Sequence, residues 1–428
     1  MMMSSIRWAV IAPALAAALA MASCGGGGGS ASSGGHSSGS APCTGSTAGG
    51  ASPAANMVPL VVDGACGGVN QAYVTITVCV PNTGSCQRID HVWVDTGSVG
   101  LRLLSSALTL PLPAATQNGN TLANCVQFIS TYSWGSVRLA DVRIAGESAS
   151  SVPVQVIGDG AVPAAPSSCV SGTAQLTPSD FQANGILGIG LTLQDCGLAC
   201  TPPGPAPSGA YYTCPANVCA PAPVPLNQQL QNVVSYFAVD NTGVQMQLPA
   251  IASASGQASA TGWLIFGIGT QANNGLGAAT VFPVDLNPAD ANLNPPTYLD
   301  INTIYAGVSL PASYIDSGSN AWYFDEPNIG QCGKNQPTGF YCQTTGTLHA
   351  TMQGFGGSPS FTYSFSVADA SSLLNSANAA FNNLAGPAGP PPGTFDWGLP
   401  FIYGRSVYTA IEGQNAGGIT GPYFAATP

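Results

Sequence analysis

The chain has 428 residues, which allows two or three domains of ordinary size. Seven Lys and Arg against 18 Asp and Glu give a net charge of −11, and only 6% of residues are charged, so nothing can neutralise a run of phosphates and a nucleic-acid partner is excluded. The 45% hydrophobic fraction excludes a solvated disordered chain, 54 Gly and 35 Pro point to short strands and turns, and 13 Cys exclude a reducing cytosol.

Residues 1–23 read as a signal peptide, with Arg7 as its positive charge and Trp8 to Ala22 as its apolar stretch. Met21-Ala22-Ser23-Cys24 resembles a bacterial lipobox and predicts lipidation of Cys24; an ordinary signal peptide cleaved nearby is the alternative. A membrane span is disfavoured, because the apolar run falls short of the roughly 20 residues a span needs. With Cys24 lipidated, the other twelve cysteines form an even set, which fits six disulfides of open connectivity. The expected location is the cell envelope, with outer-membrane retention facing periplasm or cell surface, since Gly25 and not Asp follows Cys24.

Residues 24–55 are rich in Gly and Ser and read as a flexible tether. Gly35-His36-Ser37-Ser38-Gly39 matches a serine-nucleophile pattern there, without the strand and helix that pattern requires. Residues 56–250 and 251–428 are the two expected β lobes. Gln71 to Val80 alternates and is β-branched, so it predicts a strand, and Cys79 and Cys86 flank a turn-rich stretch that would close a hairpin. The next strand, His91 to Val94, runs into Asp95-Thr96-Gly97-Ser98; later, Tyr314-Ile315 runs into Asp316-Ser317-Gly318-Ser319. Composition allows about a tenth of one such tetrapeptide by chance, and there are two, each closing an apolar strand. Asp-Gly turn chemistry explains one copy but not two with matched surroundings.

Two carboxylates held a few ångströms apart cannot both ionise cheaply, so they share one proton. The charged partner then acts as base toward a water between them, and the protonated one donates to a carbonyl oxygen. Gly97 and Gly318 let the two loops approach without Cβ clashes. The hydroxyls of Thr96, Ser98, Ser317 and Ser319 are candidates to orient the carboxylates and tie the loops together. No metal and no cofactor is expected.

With these motifs the chain resembles the pepsin-like aspartic peptidases over about residues 58 to 428. Asn184 to Gly190 resembles the segment that crosses behind the first active-site loop, and Phe401-Ile402-Tyr403-Gly404 is read as its counterpart. Gly188 lies 93 residues after Asp95 and Gly404 lies 88 after Asp316, near-equal spacings of the kind a duplicated lobe predicts. Thr131 to Ser136 resembles the flap hairpin, which makes Tyr132 the flap tyrosine and Trp134 a flap or substrate-binding candidate. Trp263 to Gly267 and Thr280 to Val284 resemble the start of the second lobe. Val94 to Ser98 with Gly398 to Phe401 and Gly404-Arg405 is similar to a family of bacterial pepsin-like lipoproteins.

Three departures stand out. Ser317 replaces the usual Thr and, lacking its methyl, predicts a looser grip between the loops. Arg102 stands where a tryptophan normally hydrogen-bonds the flap tyrosine, with Trp134 or Trp93 as substitutes. Arg102 either lies near the pair, lowering its pKa values, or is a solvated charge outside the cleft. His36, His91 and His349 do not assemble into a triad or zinc site in this reading, and Cys196, Cys200, Cys214 and Cys219 are expected to staple an irregular Pro-rich insertion. Gly267 to Ala272 reads as a turn and not a dinucleotide loop. Helices are expected at Leu226–Val239 and Ala368–Leu384.

The resemblance implies a mainly β, bilobal fold and an exported endopeptidase in which Asp95 and Asp316 activate water on peptide bonds. The expected partner is a peptide or protein substrate, with the membrane reached only through the lipid anchor and the chain monomeric. The alternative is a non-catalytic binding lipoprotein on the same scaffold, motivated by Arg102 and the Pro-rich insertion.

Overall fold

The computed structural model describes residues 41–43, 52–128, 131–202, 209–390 and 392–428. The residues read as a signal peptide, Cys24 and most of those read as a tether lie outside them. Among the described residues the fold is mainly β: a 17-stranded sheet, a 7-stranded sheet, a small two-stranded ribbon and two α-helices of one turn each. No helix among them is long and apolar enough to cross a membrane.

Strand Ala72–Cys79 shows why these residues form a sheet. Val74, Ile76 and Val78 are fully buried while Thr75 and Thr77 face outward, the period-two pattern of a half-covered strand. It pairs antiparallel with Cys86–Asp95, and the Cys79–Cys86 disulfide closes the hairpin. A ladder of strands from distant parts of the chain joins the lobes. Met57–Val62 pairs with Ala260–Phe266, which pairs with Gly243–Gln247, then Ser406–Ala410, Tyr423–Ala426 and finally Thr280–Pro283.

Each lobe repeats one motif. In the first, Gly185–Ile189 slots between the two strands that flank the Asp95 loop, parallel to Cys86–Asp95 and antiparallel to Val99–Leu104. In the second, Phe395–Trp397 slots between Val308–Ile315 and Trp322–Phe324 with the same directions. Registers agree as well: Leu187 lies opposite Val94, and Trp397 opposite Ile315, each pair one residue before the aspartate. The counterpart of Gly185-Ile186-Leu187-Gly188 is therefore Phe395-Asp396-Trp397-Gly398. Phe401–Gly404, expected in that place, instead starts at the last residue of a 3-10 turn, Leu399–Phe401, and continues to Tyr403, which bridges to Leu248, and Gly404, whose N–H donates to Leu248 O. An acid in the middle of the true strand breaks the apolar run by which it would be recognised.

The second lobe's core is aromatic. Trp322 stacks on Phe365 with centroids 4.7 Å apart, Phe324 stacks on Phe395 at 5.1 Å, and Trp397 packs edge-on to Phe401 at 5.0 Å. Buried Asn70, with φ of 51°, ties the lobes by donating to Asn320 O and Phe381 O (both 2.8 Å).

The helix expected at Leu226–Val239 is instead two 3-10 turns, Leu226–Gln228 and Val233–Tyr236, joined by extended chain. Leu230, Val233, Val234 and Phe237 are buried as their spacing implies, but Gln231 bridges to Gln194 and the Leu230 N–H donates to the Tyr211 hydroxyl, so tertiary bonds replace helical ones. Of Ala368–Leu384 only Ala370–Leu374 is helical, capped by Asp369. Beyond it Ala380 bridges to Gln257.

Twelve cysteines form six disulfides: Cys43–Cys66, Cys79–Cys86, Cys125–Cys169, Cys196–Cys200, Cys214–Cys219 and Cys332–Cys342. This agrees with the parity of the sequence and with an exported chain in an oxidising compartment.

Candidate active site

The two Asp loops meet at the junction of the lobes and grip each other reciprocally. Thr96 N–H donates to Ser317 Oγ at 3.0 Å, and Ser317 N–H donates to Thr96 Oγ1 at 2.9 Å. Each hydroxyl passes its own proton to the strand behind the other loop, Ser317 to Val94 O at 2.9 Å and Thr96 to Ile315 O at 3.4 Å. The serine arm is the shorter of the two.

The carboxyls come together over this base. Gly97 N–H lies 2.8 Å from Asp95 Oδ1 and 3.1 Å from Asp316 Oδ1, one donor shared by both. Gly318 N–H donates to Asp316 Oδ1 at 2.7 Å and Ser319 Oγ to Asp316 Oδ2 at 3.0 Å. The glycines are required by crowding: a Cβ on Gly97 would sit 2.7 Å from Asp316 Cγ, and one on Gly318 would sit 2.6 Å from Asp95 Oδ1. Asp316 is the more deeply placed, at 2% exposure against 8% for Asp95. Burial first, and then the charge of Asp95, push the Asp316 carboxyl well above the ordinary range, against the pull of Gly318 N–H and Ser319. The Asp316 carboxyl is also in hydrogen-bond contact with that of Asp95.

Ser98 does not join this set. It is buried, and its Oγ has no hydrogen-bond partner among the described residues; it is packed where a Cβ on Gly188 would lie 2.8 Å away.

Arg102 is neither beside the carboxyl pair nor in solvent. It is buried on Val99–Leu104, with Nη2 3.1 Å from Asp195 Oδ2 and Nη1 2.7 Å from Val99 O. Asp195 also accepts from the Tyr211 hydroxyl at 2.6 Å and from Asn124 at 3.4 Å. Burial pushes Asp195 up to about 6 while Arg102 pulls it down. Arg102 is thus committed to the base of the disulfide-bonded insertion, a partner too far along the chain to be read from local sequence.

Asn120–Gln127 and Thr131–Ile144 form the hairpin expected of a flap, with Tyr132 opposite Gln127 beside the turn. Tyr132 is half-buried, and its carbonyl accepts Gln175 N–H at 2.8 Å. Trp134 is committed elsewhere, its indole donating to Pro163 O at 2.7 Å and its ring edge-on to Tyr212 at 5.1 Å. The Trp93 indole N–H has no hydrogen-bond partner among the described residues, so neither tryptophan supplies the expected bond to Tyr132. The hairpin is braced from outside. Tyr211–Cys214 of the insertion adds a strand to Asn120–Gln127, and Cys125–Cys169 bonds the hairpin to the loop beyond Ile157.

One carboxyl near the pair was not anticipated from sequence. Asp396, on the strand crossing behind Asp316, is 2% exposed and lies beside Ser319. Its signal in the sequence was the tetrapeptide ending at Gly398, hidden because the crossing strand was expected at Phe401.

The family model described as a protein of unknown function (DUF3443) matches residues 52–426. Among solved structures, the crystal structure of aspartic proteinase from Irpex lacteus is similar, with a TM-score of 0.49, 14% identity, and coverage of 87% of this chain and 97% of that one. None of the curated proteins searched matches the chain.

Proposed function

The chain belongs to the family described as a protein of unknown function (DUF3443), and we propose that this member is an exported aspartic endopeptidase. Residues 56–250 and 251–428 form its lobes. The observation that carries this reading is the Gly97 N–H shared between Asp95 Oδ1 and Asp316 Oδ1, which brings two buried carboxyls from separate halves of the chain to one point.

The pair shares one proton. Its charged member takes a proton from a water lying between the carboxyls, and that water attacks the scissile carbonyl carbon. The protonated member donates to the carbonyl oxygen, giving a neutral tetrahedral diol. The first carboxyl then passes its newly gained proton to the amide nitrogen as the C–N bond breaks, and the second takes a proton back from a diol hydroxyl, leaving a carboxylic acid, an amine and the pair as it began. Thr96 and Ser317 hold the loops at the required separation, and Ser319 orients Asp316. Tyr132 closes over the substrate. Peptide or protein is the substrate class, with apolar side chains favoured. Cys24 carries a lipid that anchors a monomer to the cell envelope, outer membrane preferred.

A binding protein without catalysis was the competing reading. Its motives were Arg102 and the Pro-rich insertion; Arg102 is paired with Asp195, which leaves the insertion as the motive the cleavage test decides.

The test is cleavage of a denatured-protein peptide library by the disulfide-intact protein, scanned from acidic to neutral pH, with Asp95→Asn and a statine-containing peptide as controls. Cleavage abolished by both supports the mechanism. No cleavage at any pH by folded protein overturns it.

A further inference from the structure

Asp396 occupies the position that Ile186 holds in the first lobe. Both residues lie two before the glycine of the crossing strand, Ile186 between Trp93 and Arg102 and Asp396 between Tyr314 and Tyr323. An apolar position has become an acid in the lobe of the more deeply buried aspartate. The Asp396 carboxyl contacts Ser319, whose Oγ donates to Asp316 Oδ2 at 3.0 Å. Asp396 Oδ1 has no hydrogen-bond partner among the described residues.

A serine hydroxyl carries a single proton. Once Ser319 gives that proton to Asp316, an ionised Asp396 would meet only the lone pairs of Ser319 and would bury a bare carboxylate oxygen, a costly arrangement. A neutral Asp396 instead donates its own proton to Ser319, and the bonds run in one direction from Asp396 through Ser319 to Asp316.

The surroundings agree. The titratable groups facing Asp396 are Asp316 from its own lobe's loop, Asp95 from the other loop, and the neighbouring Tyr314 and Tyr323 from the flanking strands; none is a cation. The Tyr323 hydroxyl donates to Asn320 Oδ1 at 2.8 Å. Burial first, then the charge of Asp316, push the Asp396 carboxyl well above the usual range, against the pull of Ser319.

We propose that Asp396 is a positioning residue of the carboxylate pair, a neutral acid that donates to Ser319 and through it fixes the orientation and charge of Asp316. This rests on the peptidase reading of the pair. The alkaline loss of activity then belongs to three coupled acids and not two, because ionisation of Asp396 reverses the Ser319 bond and adds a negative charge beside the pair.

Two variants separate this role from packing. Asp396→Asn keeps a donor that cannot ionise, and Asp396→Leu keeps the bulk and removes the donor. Expected for Asp396→Asn are kcat within about twofold of wild type at acidic pH and an alkaline limb displaced upward by about one pH unit. Expected for Asp396→Leu is kcat lowered about tenfold at unchanged KM, the worth of one charge-orienting hydrogen bond. Infrared difference spectra of wild type minus Asp396→Asn should show one neutral-carboxyl C=O band that persists above the pH where ordinary carboxyls ionise. Identical pH profiles and kcat for the two variants, or no such band, overturn the proposal. Absence of cleavage by wild type overturns the peptidase reading and the positioning role with it, whereas the infrared band still decides whether Asp396 is neutral.

Discussion

Arg102 and Asp195, 93 residues apart in the chain, form an ion pair with 3.1 Å between Nη2 and Oδ2, and both side chains are almost wholly buried. Such a pair gains less than its geometry implies, because both ions have lost water, but removing one partner strands the other. Arg102→Met should therefore cost about 3–5 kcal/mol of stability, read from urea unfolding. Adding Asp195→Leu should recover part of that loss. Variants that stay folded should keep the wild-type pH profile of cleavage, since Arg102 is committed away from the aspartates. A displaced profile would return Arg102 to the active site.

Stability should fall as pH rises from about 4 to about 8. Asp316 and Asp396 are pushed well above the carboxylate value of 3.8, Asp195 from 3.8 to about 6, and Glu147 from 4.5 to about 7 by burial and then by Asp240. Each binds more protons folded than unfolded, so its contribution is complete below the unfolded value and is lost as pH rises through the folded one. His91 acts in the same sense. Its value is raised from 6.5 by Asp63 and Asp90 against burial, so its stabilisation is complete below 6.5 and lost above. Asp63 and Glu326 are lowered and oppose the trend only as pH falls. Urea midpoints measured across this range check the slope, and Asp316→Asn should flatten it at neutral pH while abolishing cleavage. A rising slope would contradict the buried, protonated acids.

Which parts were legible follows from how local their causes are. Asp95 and Asp316 announce themselves because strand, aspartate, hydroxyl and glycine are contiguous. The Cys79–Cys86 hairpin is equally local. Arg102 was not legible, because its fate depends on Asp195 from the insertion. Asp396 was obscured for the opposite reason: an acid in a fully buried strand looks like a turn, so the crossing strand was expected at the more apolar Phe401–Gly404. The apolar spacing of Leu230, Val233, Val234 and Phe237 reported burial correctly but not helix, since the Tyr211 hydroxyl and Gln194 took the backbone bonds. Ser98 shows that matching tetrapeptides need not make matching bonds.

The loop grip yields a prediction with two readouts. Ser317 Oγ accepts from Thr96 N–H and donates to Val94 O, so Ser317→Ala leaves a buried donor and a buried acceptor without partners. That should cost about 2–4 kcal/mol, at one to two for each group. Because the separation of the aspartates depends on the same bonds, kcat should fall by more than tenfold in protein still folded. Thermal unfolding and single-turnover kinetics test the two effects separately. Lost stability with unchanged kcat would mean that the grip supports the fold without setting the distance between the carboxyls.

The braced flap leads to the last prediction. Cys125 lies on the hairpin strand opposite Trp134, and its bond to Cys169 closes a 44-residue sequence separation. On chain entropy alone, removing this bond by Cys125→Ala with Cys169→Ala should cost about 4 kcal/mol. The hairpin would still be paired to Tyr211–Cys214, so the strand should persist while its hold on the loop beyond Ile157 weakens. A flap that must be ordered on binding charges that entropy to the substrate, so KM should rise several-fold with a smaller change in kcat. Cys332–Cys342 provides the control, because it closes a separation of 10 residues in the second lobe, away from the hairpin. Its removal should cost about 3 kcal/mol and leave KM unchanged. Equal kinetic effects from the two deletions would attribute the change to general destabilisation, and a KM effect confined to Cys125–Cys169 would locate it in the flap.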